Sequence, residues 1–151
     1  MTRLEYQITA RCTPEHVWQV FGDLDRWLEW NPVIAKSHWV SGEPWQLGSR
    51  FLMELGIPRT MTFKPVINEI SAPNRVAWTG TAPGFKGTHW HEFSAKSDGT
   101  TLIKTWEEFS GVATWFFTPG FKKKLINMYA VWLNALAAQA EKLANPTAVR
   151  L

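Results

Sequence analysis

Two short stretches hold the side chains best suited to chemistry in this chain: GTHWHEF at residues 87–93 and TWEEF at residues 105–109. Side chains of an extended strand alternate between its faces, so His89, His91 and Phe93 share one face while Trp90 and Glu92 take the other. If the Phe93 face looks inward, two imidazoles enter an apolar interior. Two histidines beside a carboxylate can move protons near neutral pH or ligate a metal. The same groups can also serve as a hydrogen-bonded wall, or stand in solvent if the faces are reversed. The carboxylate would come from Glu107 or Glu108 on the next strand, and the hairpin between the strands decides which. A two-residue turn at Asp98-Gly99 sets Ser97 opposite Thr100, Trp106 opposite His91 and Glu108 opposite His89. A three-residue loop over 98–100 pairs Ser97 with Thr101 and sets Glu107 opposite His91. Only one glutamate can face inward. There its pKa should rise, unless a histidine or arginine pairs with it.

Nothing else in the sequence announces a reaction. There is no GxSxG, GxxxxGK[ST], HExxH or CxxC motif, so the expectation is no metal site and no cofactor. Catalytic candidates are therefore confined to His89, His91 and Glu107 or Glu108.

These residues must be positioned by the elements around them. The chain has 151 residues and 45% hydrophobic content, which fits one domain, residues 1–151, with a core that needs no disulfide. Its single cysteine, Cys12, permits none within the chain. Ten tryptophans and nine phenylalanines supply more aromatic surface than such a core requires, and a hollow protein lined by rings is one use for it. A net charge of +3, spread along the chain, gives no reason to expect nucleic acid. No apolar run is long enough to span a bilayer, and residues 1–12 lack a signal-peptide core. A soluble, cytoplasmic protein is the expectation, with monomer and homodimer both open.

Leu4, Tyr6, Ile8 and Ala10 alternate with polar residues and read as a first strand. TPEHVWQVF then starts a helix with Thr13 as N-cap and Pro14 at the first position, running to about Phe21. A second short helix, capped by Asp23 or Asp25, ends near Trp30 because Pro32 follows. It lies in GDLDRWLEWNP, residues 22–32, where Trp27 and Trp30 must press against something beneath them. From Ile34 to Gly111 the period is two, with breaks at SGEP, GIPRT, SAPNR, TAPGFKG and KSDGT. Six strands fit between them, at 34–41, 48–55, 61–71, 75–81, 87–96 and 101–111, and connections so short require antiparallel neighbours. Lys122 to Leu143 reads as one long helix. One stripe carries Phe121, Leu125, Met128, Trp132, Ala135 and Leu143, and a second Ile126, Tyr129, Leu133, Leu136 and Ala140. The fold class is α+β, a seven-stranded curved antiparallel sheet around a long C-terminal helix, with two short helices between strands 1 and 2.

This order, with TPEHVWQVFGDLDRWLEWNP, GEPWQLGSRFLMEL, VAWTG and DGTTLIKTWEEFSG, resembles the START-like SRPBCC superfamily with its helix-grip fold, and within it the polyketide cyclase/dehydratase-like branch. The resemblance covers nearly the whole chain, through cap, turn and wall residues. It implies an apolar cavity between sheet and long helix, closed at one end by the short helices, with Trp27 and Trp30 as lid or floor. In proteins of this kind a glutamate at the Glu107 position is the more frequent. The residues expected to contact a ligand are Trp27, Trp30, Phe51, Met53, Trp78, Phe85, His89, His91, Phe93, Phe109, Met128 and Trp132. APGFKG, residues 82–87, reads either as a mobile loop at the cavity mouth with Phe85 as gate or as an ordinary hairpin tip. Lys122, Lys123 and Lys124 read either as a solvated helix face or as a contact for an anionic partner or membrane surface. Three functions fit: a carrier of a small hydrophobic or aromatic, lipid- or polyketide-like molecule, a cyclase/dehydratase-type enzyme using the same cavity, and a protein-interaction module.

Overall fold

The computed structural model describes residues 1–146. Strand β1 (Thr2–Ala10) buries Leu4 and Ala10 and exposes Glu5 and Thr9, as its alternation requires. Helix α1 (Pro14–Phe21) opens with a capping box in which His16 takes the place usually held by Glu or Gln. The His16 backbone N–H donates to Thr13 Oγ1 at 3.3 Å, and Thr13 N–H donates to His16 Nδ1 at 3.4 Å. A single 3-10 turn at Leu24–Arg26 leads into α2 (Trp27–Trp30). The expected aspartate cap is absent, because Asp23 makes no side-chain cap bond and Asp25 lies within the 3-10 turn. Termination follows expectation: Asn31, next to Pro32, has φ −105° and ψ 105°, outside the helical region.

The sheet follows as β2 (Ile34–Ser41), β3 (Arg50–Leu55), β4 (Met61–Phe63), β5 (Val66–Ser71), β6 (Arg75–Ala82), β7 (Phe85–Ala95) and β8 (Thr101–Ser110). It has eight strands, in the order β1-β8-β7-β6-β5-β3-β2, with β4 beside β3 off this path. Every pairing is antiparallel. The strand expected over 61–71 is thus two strands. Lys64 and Pro65 separate them, since proline has no N–H for a ladder. The hairpin at 82–87 is a tight two-residue turn: Ala82 pairs with Phe85, and Gly84 takes φ 72°. The loop reading of this stretch is corrected accordingly, and Phe85 is the first residue of β7.

Helix α3 (Pro119–Ala144) starts a turn earlier than its apolar stripe indicates. Thr118 Oγ1 caps it by accepting from Phe121 N–H at 3.1 Å, with Pro119 at the first position. Its buried residues are Leu125, Met128, Tyr129, Trp132, Leu133, Leu136, Ala137 and Ala140, so both expected stripes contribute. Leu143 does not, and stays 39% exposed. At that end Glu141 instead ties the helix to the sheet, accepting from Arg11 N–H at 2.8 Å. No helix among the described residues is long and apolar enough to cross a membrane.

The space between sheet and α3 is filled unevenly. At the end nearest α1 and α2, Phe21, Trp27, Phe51, Phe93, Leu133 and Leu136 are fully buried and packed solid. At the other end, towards the β6–β7 turn and the start of α3, the concave face is left open.

Candidate functional site

That open end is a cavity of about 660 Å³. Met53 and Leu55 enter it from β3, Met61 and Phe63 from β4, and Trp78 from β6. Phe85 and His89 come from β7, Glu107 and Phe109 from β8, and Phe121, Lys124, Leu125, Met128 and Trp132 from α3. Pro58, Arg59, Ala113, Phe116 and Phe117 contribute from the connecting segments. The space exists partly because Gly80 and Gly87 face each other across β6 and β7, leaving a bare patch of wall between Trp78 and Phe85. A Cβ on Gly87 would sit 3.3 Å from the rings of both Phe85 and Phe109. Near the mouth the aromatic wall is continuous. Phe109 and Phe117 lie 5.3 Å apart, and Phe117 and Phe121 5.0 Å apart, both edge-on.

One polar cluster interrupts this wall. The hairpin between β7 and β8 spans residues 97–99: Lys96 N–H donates to Thr100 O at 2.8 Å, and Gly99 N–H closes onto Lys96 O at 3.1 Å. The register is therefore His89 opposite Glu107 and His91 opposite Thr105. It is neither of the two registers considered from sequence, because the three-residue loop begins one position earlier. An odd loop length still keeps odd-numbered residues on one face, which turns Glu107 inward. Glu108 points out, 3.6 Å from Arg3.

Glu107 Oε1 accepts from the Tyr129 hydroxyl at 2.7 Å and lies 3.6 Å from His89 Nδ1. The other ring nitrogen, His89 Nε2, is 2.5 Å from Thr105 Oγ1. Thr105 donates its only hydroxyl proton to Trp90 O at 2.9 Å, so it must accept from His89. This assigns the neutral Nε2–H tautomer to His89 and leaves the Nδ1 lone pair towards Glu107. Burial pushes the Glu107 carboxyl up to about 7, with the Tyr129 hydrogen bond pulling the other way. Burial pushes His89 down to about 3, and Tyr129 is held well above its ordinary value by burial and then by the carboxylate beside it. The arrangement is a carboxyl that titrates near neutrality between a phenol donor and a neutral imidazole lone pair. Chemically, it can give or take one proton at the cavity wall.

Of the residues expected to contact a ligand, Met53, Trp78, Phe85, His89, Phe109, Met128 and Trp132 line the cavity. Trp27, Trp30, Phe51, His91 and Phe93 are not in its wall. Trp27 is no lid: it is fully buried, donates Nε1–H to Phe21 O at 2.7 Å, and meets Trp132 edge-on at 5.2 Å. Trp30 is half-buried at the edge of the core. Phe51 packs edge-on against Trp78 at 5.1 Å, and Phe93 against Phe21 at 5.3 Å. His91 does share the inner face of β7, but the α1 side of that face is plugged. Its ring lies 4.8 Å from Phe21, 5.0 Å from Trp78 and 4.4 Å from His89, with neither ring nitrogen hydrogen-bonded. Burial and the neighbouring His89 hold it well below the usual histidine range. Among the described residues no three His, Cys, Asp or Glu side chains converge to hold a metal ion.

Sequence reasoning missed Tyr129 as the partner of Glu107, having placed it on a flanking helix stripe. It also missed Leu55, Gly80 and Gly87, which the period of two could have found by stepping along faces already assigned to Met53, Trp78 and His89, and Met61 and Phe63 on β4, where no face had been assigned. Phe116 and Phe117 carried no such signal, because they sit in and just after a 3-10 turn (Val112–Phe116) that no periodicity announces.

Solved structures share this architecture. A hypothetical protein from Helicobacter pylori superimposes with a TM-score of 0.80 at 18% identity, covering 92% of this chain and 88% of its own. The Zhui aromatase/cyclase from Streptomyces sp. R1128 gives 0.78 at 16% identity, covering 98% and 99%. Major latex-like protein 151 from Panax ginseng gives 0.75 at 16%, covering 96% and 98%. At these identities the likeness is one of fold. No curated protein matches the sequence itself. Residues 1–141 match the family described as polyketide cyclase / dehydrase and lipid transport, and the chain belongs to that family.

Proposed function

We propose that this protein binds a small hydrophobic or aromatic molecule, lipid- or polyketide-like, inside the cavity. The observation that carries the reading is a space of about 660 Å³ walled mainly by aromatic, aliphatic and methionine side chains, with a polar cluster at Glu107 and His89 and two cations, Arg59 and Lys124, in the wall. Such a volume lies in the range of ordinary small-molecule sites, and few convergent polar groups in an apolar wall orient a ligand. Membership of a family whose description includes lipid transport supports it. The test is thermal stabilisation and tryptophan fluorescence across a varied apolar library. Trp78→Ala should weaken binding of a responding compound by about 1 to 3 kcal/mol, through lost ring contact. No stabilisation and no fluorescence change with any compound would remove this reading.

A second reading, an enzyme of the cyclase/dehydratase type, is favoured by one observation: the Glu107 carboxyl is tuned to about 7, beside the bare Nδ1 of His89. General acid-base catalysis works best with a pKa near the working pH. In this reading Glu107 exchanges a proton with the bound chain, His89 and Tyr129 hold its carboxyl in place, and the cavity wall fixes the reactive conformation. Glu107→Gln should then lower turnover by ~10² to 10⁴ while leaving affinity within a few-fold. Affinity lost with rate per bound ligand unchanged would make Glu107 an orienting group. The interaction-module reading, which an extensive exposed apolar patch together with a cavity-free interior would favour, has the least support, since part of the interior is a cavity of about 660 Å³.

A further inference from the structure

We infer that the cavity mouth is a docking face for an anionic membrane surface. Three segments form the rim: residues 56–60, 82–87 and 111–124, each of which contributes to the cavity wall. Together they carry Arg59, Lys86, Lys122, Lys123 and Lys124 and no acidic residue. The chain as a whole has 16 basic and 13 acidic residues, so everything outside the rim is net negative. The mild positive charge of the molecule is therefore concentrated at one end, where the cavity opens.

The same rim exposes its largest apolar side chains. Trp115 is 81% exposed, Phe116 80% and Val112 54%, all in the 3-10 turn between β8 and α3. This turn is held in place. Ala113 N–H donates to Gly84 O at 2.9 Å, and Phe117 N–H to Thr114 O at 3.1 Å. Presenting two adjacent aromatic rings to water on a pinned turn costs solvation free energy without any intramolecular return. Three lysines close to the positive end of α3 are likewise unfavourable for the helix by itself. Both features make sense together at a bilayer surface. Tryptophan and phenylalanine settle at the headgroup level, and juxtaposed lysines gain from the negative lipid potential. A second copy of this chain fits the face poorly, because like charges would oppose across the contact.

Docking stands on the surface alone. Passage of a hydrophobic ligand between bilayer and cavity, beside Phe116, rests in addition on the binding reading above. The experiment is flotation of the purified chain, without added ligand, with vesicles of phosphatidylcholine alone and of phosphatidylcholine mixed with phosphatidylglycerol. The expected result is partition onto the anionic vesicles only, falling as salt is raised from ~0.1 to ~0.5 M. Replacing Lys122, Lys123 and Lys124 together by glutamine should lower the partition at least ~tenfold. Trp115→Ser with Phe116→Ser should lower it by on the order of tenfold. Both sets of side chains are surface-placed, and circular dichroism checks that the variants fold. No partition, or partition indifferent to both variants, overturns the proposal. Binding to soluble polyglutamate but not to anionic vesicles also overturns it, in favour of an acidic protein partner. Phe116 and Lys124 also line the cavity, so ligand uptake is read separately, from thermal stabilisation of the parent protein, and does not enter the partition result.

Discussion

Burial raises Glu107 to about 7 and lowers His89 to about 3, and the two shifts act on stability with opposite signs. In the unfolded chain Glu107 ionises near 4.5. Between 4.5 and about 7 the folded state holds the proton more tightly, so stability from this group falls as pH rises through that window. His89 gains its proton near 6.5 when unfolded but only near 3 when folded, so its contribution is present above 6.5 and is lost as pH falls. His91, lowered too, adds to the acid-side loss. Stability should therefore peak near pH 6 to 7, roughly where the histidine gain is complete and the glutamate loss is not. Glu107→Gln removes only the glutamate part. Its stability relative to the parent should rise by about 3 kcal/mol between pH 4.5 and 7, at about 1.4 kcal/mol per unit. Urea titrations of both proteins at several pH values measure this, and a constant difference would show that Glu107 is solvated after all.

Among the elements, the link from β8 to α3 decides how the cavity mouth is built. Gly111 ends β8 with φ 101°, and a Cβ there would come within 2.3 Å of Gly84 O. Both the left-handed backbone and the close approach to the β6–β7 turn demand glycine. Gly99, in the β7–β8 hairpin, has φ 85° but nothing within 4 Å of a new Cβ. Gly99→Ala should thus cost only the strain of the backbone, about 1 kcal/mol. Gly111→Ala should cost on the order of 2 kcal/mol or more, since the hairpin tip and the 3-10 turn must also move. Chemical denaturation compares the two. Equal costs would mean that the contact between Gly111 and Gly84 relaxes freely. These two glycines show how far local reading goes: both turns are legible as punctuation, but the crowding at Gly111 comes from a residue 27 positions away.

At the scale of the whole molecule, the interior is divided into a solid half and a hollow half. Phe93 is fully buried in the solid half, whereas Phe85 is half-buried with one side on the cavity. Phe93→Ala should cost about 3 to 5 kcal/mol, as a phenylalanine removed from close packing does. Phe85→Ala should cost about half of that or less, because its ring already lacks neighbours on the cavity side. If the difference vanishes, the cavity is collapsed in solution. Saturation with a ligand of the cavity at about one hundred times its Kd should add about 2.7 kcal/mol to either variant that still binds.

The sequence by itself determined the order of helices and strands, the grouping of His89, His91 and Phe93 on one face of β7, the cap and proline start of α1, the proline stop of α2, and the family resemblance. All of these rest on local rules: a period of two or 3.6, a threonine before a proline, a proline that stops a helix. It also determined that one glutamate must face inward. Which residue stands opposite it was decided only by the tertiary structure, because moving a three-residue loop by one position shifts every pair across β7 and β8. The split of strand 61–71 at Pro65 and the start of α3 at Pro119 were, by contrast, written locally, as a proline inside a strand and a threonine before a proline, and were missed. The end of the cavity was beyond local reading. His89 and His91 are two residues apart on one face, yet Phe21, brought in from α1 and backed by Trp27 from α2, fills the space beside His91 and leaves His89 at the wall. Which part of a concave face stays empty depends on what packs against it from distant segments, and no spacing within a strand encodes that.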